Sequence, residues 1–216
     1  MQTLAFIVAN WSVILQRAWE HVSLVGVSVA IAILTGVPLA IAITANRRAA
    51  DRVLGAASII MTIPSIALFG LLIPVLSLIG QGIGYLPALI ALVLYAQLPI
   101  LRNTYTAIMN VDPALREAAR GMGMTTLQRL REVELPIALP VIVNGVRNAV
   151  VLNIAIAAIA TYIGAGGLGT FISRGISQTD IRQLVTGALA VSALAIVADL
   201  ALVALGRAAT SKGLRT

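Results

Sequence analysis

Cysteine is absent from the 216 residues, histidine occurs once, at His21, and lysine once, at Lys212. The first absence excludes disulfides and thiolate metal sites and leaves the redox compartment unreadable. One histidine is too few for a histidine-based metal site. The lone lysine lies outside any G-x-x-x-x-G-K-[S/T] run, so this chain builds no P-loop of the usual kind. Charge is also scarce. Only 11% of residues are charged, against roughly 25% in a soluble domain. Hydrophobic residues make up 59% and the mean hydropathy is +0.99, a composition that calls for lipid as solvent. The net charge is +7, but the arginines stand between long apolar runs. No basic stripe with interleaved aromatics exists, which argues against nucleic acid as a partner. The first sixteen residues carry no charged side chain, so no cleavable signal is expected.

What is present is a series of apolar runs. A helix needs about 20 apolar residues to cross the hydrocarbon core. Five segments qualify or come close: Val22 to Ala45, Val53 to Ile79 with Pro64 and Pro74, Leu86 to Leu101 with Pro87 and Pro99, Ile137 to Ile163 with Pro140 and Arg147, and Leu184 to Leu205 with Asp199. The stretch before them differs. Leu4, Ile7, Trp11, Ile14, Ala18 and Val22 recur at three- and four-residue steps, which is one face of a helix. Residues 1–21 therefore read as an interfacial helix, with Trp11 and Trp19 as anchors at the lipid headgroups. Residues 22–206 form the membrane domain and 207–216 a tail.

Arginine sets the orientation. Arg47, Arg48 and Arg52 follow the first span; Arg102, Arg116, Arg120, Arg129 and Arg131 follow the third; Arg207, Lys212 and Arg215 follow the fifth. With five spans these eleven of the fifteen cations share one side, the cytoplasm, while Arg17, Arg174 and Arg182 lie opposite. The expected topology is N-terminus outside and C-terminus cytoplasmic, in a bacterial inner membrane.

The longest polar segment, 102–136, is then cytoplasmic. Asp112 before Pro113 is a helix start, pairing a side-chain cap with a first residue whose missing N–H leaves nothing unpaired. Gly121 and Gly123 can end that helix. Thr125 and Gln128 fit a capping box for a second one. By physics alone this hairpin is either a solvated loop or a knob for a partner's groove.

The residues Glu117-Ala118-Ala119, three more, Gly123, nine more, Val133, one more, Leu135-Pro136 resemble the EAA loop of ABC importer permeases, whose pattern is E-A-A, three residues, G, nine residues, I, one residue, L-P. Val133 for isoleucine is the one departure. In that family the loop forms a coupling helix that docks on the cytoplasmic ATPase. Carried over, Glu117, Ala118, Ala119, Gly123, Leu135 and Pro136 are ATPase-coupling residues, with Gly121 beside them. Thr62-Ile63-Pro64-Ser65, Leu101-Arg102-Asn103-Thr104-Tyr105 and Ile163-Gly164-Ala165-Gly166-Gly167-Leu168-Gly169 resemble the glycine betaine, carnitine and choline branch, the osmoprotectant permeases. The resemblance implies an all-α membrane protein of the type I importer permease fold, with no cofactor on this chain and ATP and Mg on a separate P-loop ATPase dimer. It also implies a second permease copy or a related chain, and an external solute-binding protein. Ergothioneine importers are similar, and an amino acid is another candidate cargo.

Several constellations need separate reading. Gly164 to Gly169 fits G-x-G-x-x-G, but a dinucleotide site needs a preceding strand, and this run follows a membrane helix on the outer side. Pro64 and Pro99 break helices, and the freed backbone groups need protein or cavity water. Ser65, Gln97, Asn144, Asn148 and Asn153 lie at comparable depth and serve either the translocation path or the contacts between helices. Tyr95 offers either a cation–π face to a quaternary ammonium or simple packing. Arg147 and Asp199 both fall in the inner half of the bilayer, where a lone charge costs several kcal/mol, so they are expected to pair. A free-standing channel or secondary transporter is the rival function. An ion-coupled transporter would call for more intramembrane acids than Asp199 and for an inverted repeat.

Overall fold

Alanine at the contact positions sets how closely the long helices approach. The computed structural model describes residues 2–209: α1 Gln2–Ala9, α2 Trp11–Ile43, α3 Arg47–Thr62, α4 Ser65–Ser77, α5 Tyr85–Met109, α6 Pro113–Gly121, α7 Thr126–Arg129, α8 Leu135–Ile159, α9 Gly169–Ser177 and α10 Ile181–Ala209. A π-helical turn, Leu130–Glu134, joins α7 to α8, and a 3-10 turn, Ala160–Ile163, follows α8. No strand occurs among the described residues. The end of the expected tail, with Lys212 and Arg215, lies outside them.

The centre is made by α2, α5 and α8. Leu24, Val25 and Val29 meet Ala88, Ala91, Leu92 and Tyr95 and, from α8, Ile154 and Ala157. A second layer is mostly alanine: Ala32, Ala96 and Ala149, with Ile100. Apolar burial drives little association in lipid; close packing and interhelical hydrogen bonds do. Both are present. Asn153, fully buried, donates to Ser28 Oγ at 3.2 Å and to the Leu92 carbonyl at 3.1 Å, tying α8 to α2 and α5. His21 Nε2 donates to the Ile154 carbonyl at 3.1 Å.

Among the described residues four helices are long and apolar enough to cross a membrane, and α3 with α4 forms a fifth crossing only as a pair bent by 100°. The segment Val53 to Ile79 is thus no straight span. Pro64 has no N–H to give and drives the residue before it out of the helical region; Ile63 is extended, with φ −71° and ψ 127°. Pro99 acts differently. It lies inside α5, which runs on to Met109 rather than ending near Leu101, so the polar loop is shorter than the sequence indicates. Asn103 covers the Pro99 carbonyl at 2.8 Å.

The expected boundary at residue 21 does not coincide with a helix end. Helix α2 is unbroken for 33 residues, about 50 Å at 1.5 Å per residue, longer than a hydrocarbon core of about 30 Å. Between Trp11 and Val22 the sequence has neither glycine nor proline to stop it. The break falls instead at Asn10, whose side chain bonds back to the Phe6 carbonyl at 2.9 Å. Helix α1 is docked: Phe6 and Ile7 pack on Ile14, Leu168 and Phe171, and Arg182 lies 6.0 Å from the Phe6 ring centroid. Trp11 and Trp19 are exposed.

Candidate functional site

The hairpin between α5 and α8 is built by local chemistry. Asp112 accepts from Ala114 N at 2.8 Å and caps α6, with Pro113 in its first turn. Helix α6 ends at Gly121, and Gly123, at φ +79°, makes the left-handed turn that reverses the chain. Thr125 N donates to Gln128 Oε1 at 2.8 Å while Gln128 N donates to Thr125 Oγ1 at 3.3 Å, a reciprocal capping box. Pro136 stops nothing: the helix runs from α7 through the π-turn into α8, and Pro136 follows directly on that turn.

Helix α6 has two faces. Ala119 is 1% exposed, and Arg116 is also turned inward. Leu115, Ala118 and Met122, at steps of three and four, share the other face and are exposed, Met122 to 70%. Glu117, about 100° round the helix from Ala118, is exposed and makes no ion pair with another described residue. Leu127, on α7, adds a further exposed apolar side chain, at 62%. Leu135 is half-buried and Pro136 exposed. An apolar surface flanked by charge and covered by no other described residue is the usual mark of a partner site.

Beneath this surface lies a group that the sequence reading missed. Glu134, in the π-turn, is 6% exposed. Its Oε1 accepts from Arg129 Nε at 2.9 Å and lies 3.2 Å from Arg116 Nε. The Arg116 guanidinium also donates through Nη2 to the Ile108 carbonyl near the end of α5. A signal for Glu134 did exist: Leu130, Glu134 and Ala138 recur at four-residue steps, and a lone acid in an apolar stripe implies a buried partner.

On the opposite side, the glycine run is a loop after the 3-10 turn, with no strand before it. Gly164, Gly166 and Gly167 all have positive φ. Glu20 Oε2 accepts from Gly167 N at 3.0 Å and from Arg17 Nη1 at 2.7 Å, holding the loop against α2.

The residues expected along a path separate into two groups. Tyr95 and Asn153 are buried, at 3% and 0%. Tyr95 donates its hydroxyl hydrogen to the Ile63 carbonyl and Asn153 binds α2 and α5. Neither ring face nor amide is open, so these two hold helices together rather than face a path in this conformation. Gln97, half-buried, bonds Thr35 Oγ1 on α2 at 2.8 Å. Pro64 is exposed at the bend, with Ser65 half-exposed beside it. Asn144 and Asn148 are exposed one turn apart on α8. Arg147 and Asp199 are brought together by α8 and α10: the guanidinium grips both carboxylate oxygens, Nη2 to Oδ2 at 2.8 Å and Nε to Oδ1.

Residues 4–211 match the model of the family described as binding-protein-dependent transport system inner membrane component. The chain belongs to this family. Members with curated names include the osmoprotectant import permease protein OsmW of Salmonella typhimurium, 53% identical over 100% of both chains. Another is the glycine betaine/carnitine/choline transport system permease protein OpuCB of Bacillus subtilis, 38% identical over 99% of this chain and 96% of that one. Among solved structures, the inward-facing MetNI methionine ABC transporter is similar with a TM-score of 0.82 and 27% identity, covering 92% of this chain and 97% of that chain. The architecture is that of a type I ABC importer permease, an inner membrane component rather than an enzyme.

Proposed function

We propose that this family member is the permease subunit of an ATP-driven importer of a quaternary-ammonium osmoprotectant such as glycine betaine, carnitine or choline. The carrying observation is the outer face of α6. Leu115, Ala118 and Met122 are exposed there with Glu117 exposed beside their stripe, on a helix capped at Asp112 and reversed at Gly123. Coupling to a separate P-loop ATPase dimer, which holds ATP and Mg, runs through Glu117, Ala118, Ala119, Gly121, Gly123, Leu135 and Pro136. The N-terminus is outside and the C-terminus cytoplasmic. A solute-binding protein delivers cargo to the outer side, near the glycine loop.

The path lies against the open face of α8, between this chain and a second permease copy. Asn144 and Asn148 are exposed on α8 without a hydrogen bond to another described residue. At membrane depth such amides are tolerated against water or a partner chain and are costly against lipid. Pro64, Ser65 and Gln97 are the other open candidates. The names of the relatives support the osmoprotectant class. The named cargo of the MetNI neighbour, methionine, keeps an amino acid as the second reading, and ergothioneine belongs with it.

The test is capture of the tagged chain in mild detergent with mass spectrometry of what accompanies it, beside a Glu117→Arg, Gly123→Pro control. A P-loop ATPase that arrives with the wild type and not with the control supports the reading. A chain that purifies alone and transports without ATP overturns it. Uptake of radiolabelled glycine betaine, competed by choline but not by methionine, separates the two cargo readings.

A further inference from the structure

The buried clasp beneath α6 supports an inference beyond docking. Ala119 packs α6 inward, and Arg116 is the side chain of α6 that ties it by polar contacts to the rest of the chain. That one side chain reaches the Ile108 carbonyl at the end of α5 and Glu134 at the root of α8. Arg116 immediately precedes Glu117, so the two side chains project about 100° apart, Glu117 exposed and Arg116 half-buried in the clasp.

The second participant is the π-turn. A π-bulge holds one residue more than an α-turn and often marks functional sites. Removing that residue would rotate everything before it by about 100° relative to α8, carrying Arg129 away from its contact with Glu134. The contact itself is loose in direction. Arg116 Nε is buried and makes no hydrogen bond of its own, although it lies 3.2 Å from Glu134 Oε1. The attraction is that of charge, which survives small shifts of α6. Arg129 is only five residues from Glu134 on the same continuous helix; it helps neutralise the carboxylate and links no two elements.

We propose that Glu134 and Arg116 are positioning residues that carry movement of α6 into α8, so that a displacement at the ATPase surface turns the face bearing Asn144 and Asn148. This rests on the reading of α6 as the ATPase-docking helix. Loss of either residue leaves α6 able to dock but uncoupled from α8.

The absence of cysteine permits a clean test that needs no cargo. Val151→Cys places a single thiol on the exposed face of α8. Its labelling rate by a water-soluble maleimide is compared in the captured permease–ATPase complex without nucleotide and with ATP trapped by vanadate. In the wild-type background the rate changes with nucleotide. In Arg116→Gln and Glu134→Gln that change shrinks about tenfold, an ordinary size for coupling between sites, while the ATPase is still captured. Arg129→Gln keeps the change. If Glu134→Gln does not insert, Arg116→Gln alone decides, since it leaves Glu134 paired with Arg129. Three results overturn the clasp: an unaltered nucleotide response in Arg116→Gln, loss of ATPase capture in it, or no response in the wild-type background. A wild-type complex that captures no ATPase instead overturns the docking reading itself.

Discussion

Tyr95 donates its hydroxyl hydrogen to the carbonyl of Ile63 over 2.6 Å, joining the middle of α5 to the 100° bend between α3 and α4. The bend exists because Pro64 cannot continue the ladder, and a freed carbonyl in a membrane protein needs a donor. Tyr95→Phe keeps the ring and removes the donor. The expected cost is about 1–2 kcal/mol, read as a lower thermal midpoint in detergent with an unchanged helical signal. A midpoint equal to that of the wild type would show that water replaces the hydroxyl.

Gly121 and Gly123 stand two residues apart, yet their requirements differ. Gly121 is helical and a Cβ there meets nothing within 4 Å. Gly121→Ala should leave the midpoint unchanged or raise it, since alanine favours a helix over glycine by up to about 1 kcal/mol. Gly123 also has open space, but its φ is +79°, so Gly123→Ala should cost about 1–2 kcal/mol through the backbone alone. Gly123→Asn should cost less, because asparagine tolerates that region. Capture of the ATPase by the stable Gly121→Ala variant then measures steric contact with the partner, separate from folding.

The hairpin was legible in the sequence because its signals are local. Asp112-Pro113, Gly123 and Thr125 with Gln128 each fix a cap or a turn within a few residues. The family resemblance rests on the same stretch and on three further segments, at residues 62–65, 101–105 and 163–169. What stayed hidden depends on contacts far apart in sequence. The clasp of Glu134 with Arg116 spans two helices, and Glu132 and Glu134 look alike until one knows which face is buried. Tyr95 and Asn153 read as path candidates because depth follows from residue number, whereas rotation about the helix axis depends on its neighbours. The continuity of α2 past residue 21 was missed because a polar turn within an apolar helix resembles an ending until its outer end is seen to pack on Leu168 and Phe171.

Arg147 and Asp199 meet in a two-pronged contact between α8 and α10. Arg147→Asp or Asp199→Arg alone leaves like charges facing each other at membrane depth, and folded protein recovered from membranes should fall several-fold in each. The double reversal restores the pair with its polarity inverted and should recover most of the yield. Quantitative immunoblotting of membrane fractions after size-exclusion chromatography checks it; no rescue would mean that each charge answers to a different neighbour.

Asp180 caps the start of α10, accepting from Arg182 N at 3.0 Å, and its two oxygens take Arg182 Nε and Nη2, each at 3.0 Å. The Arg182 side chain holds the Asp180 carboxyl well below the usual carboxylate range. A depressed folded pKa means that the stabilisation is fully present above the ordinary value of about 3.9 and is lost as the pH falls through the folded value. The contact is partly open to solvent, so its contribution is modest, and salt weakens it. Asp180→Asn should therefore melt below the wild type at pH 7, by a margin that stays constant between about pH 5 and 8 and narrows below about pH 4. Phe6 lies beneath the same guanidinium, so the variant should also loosen α1, seen as faster proteolysis near residue 10 at neutral pH. A margin that persists unchanged at low pH would assign the effect to the lost cap geometry and not to the carboxylate charge.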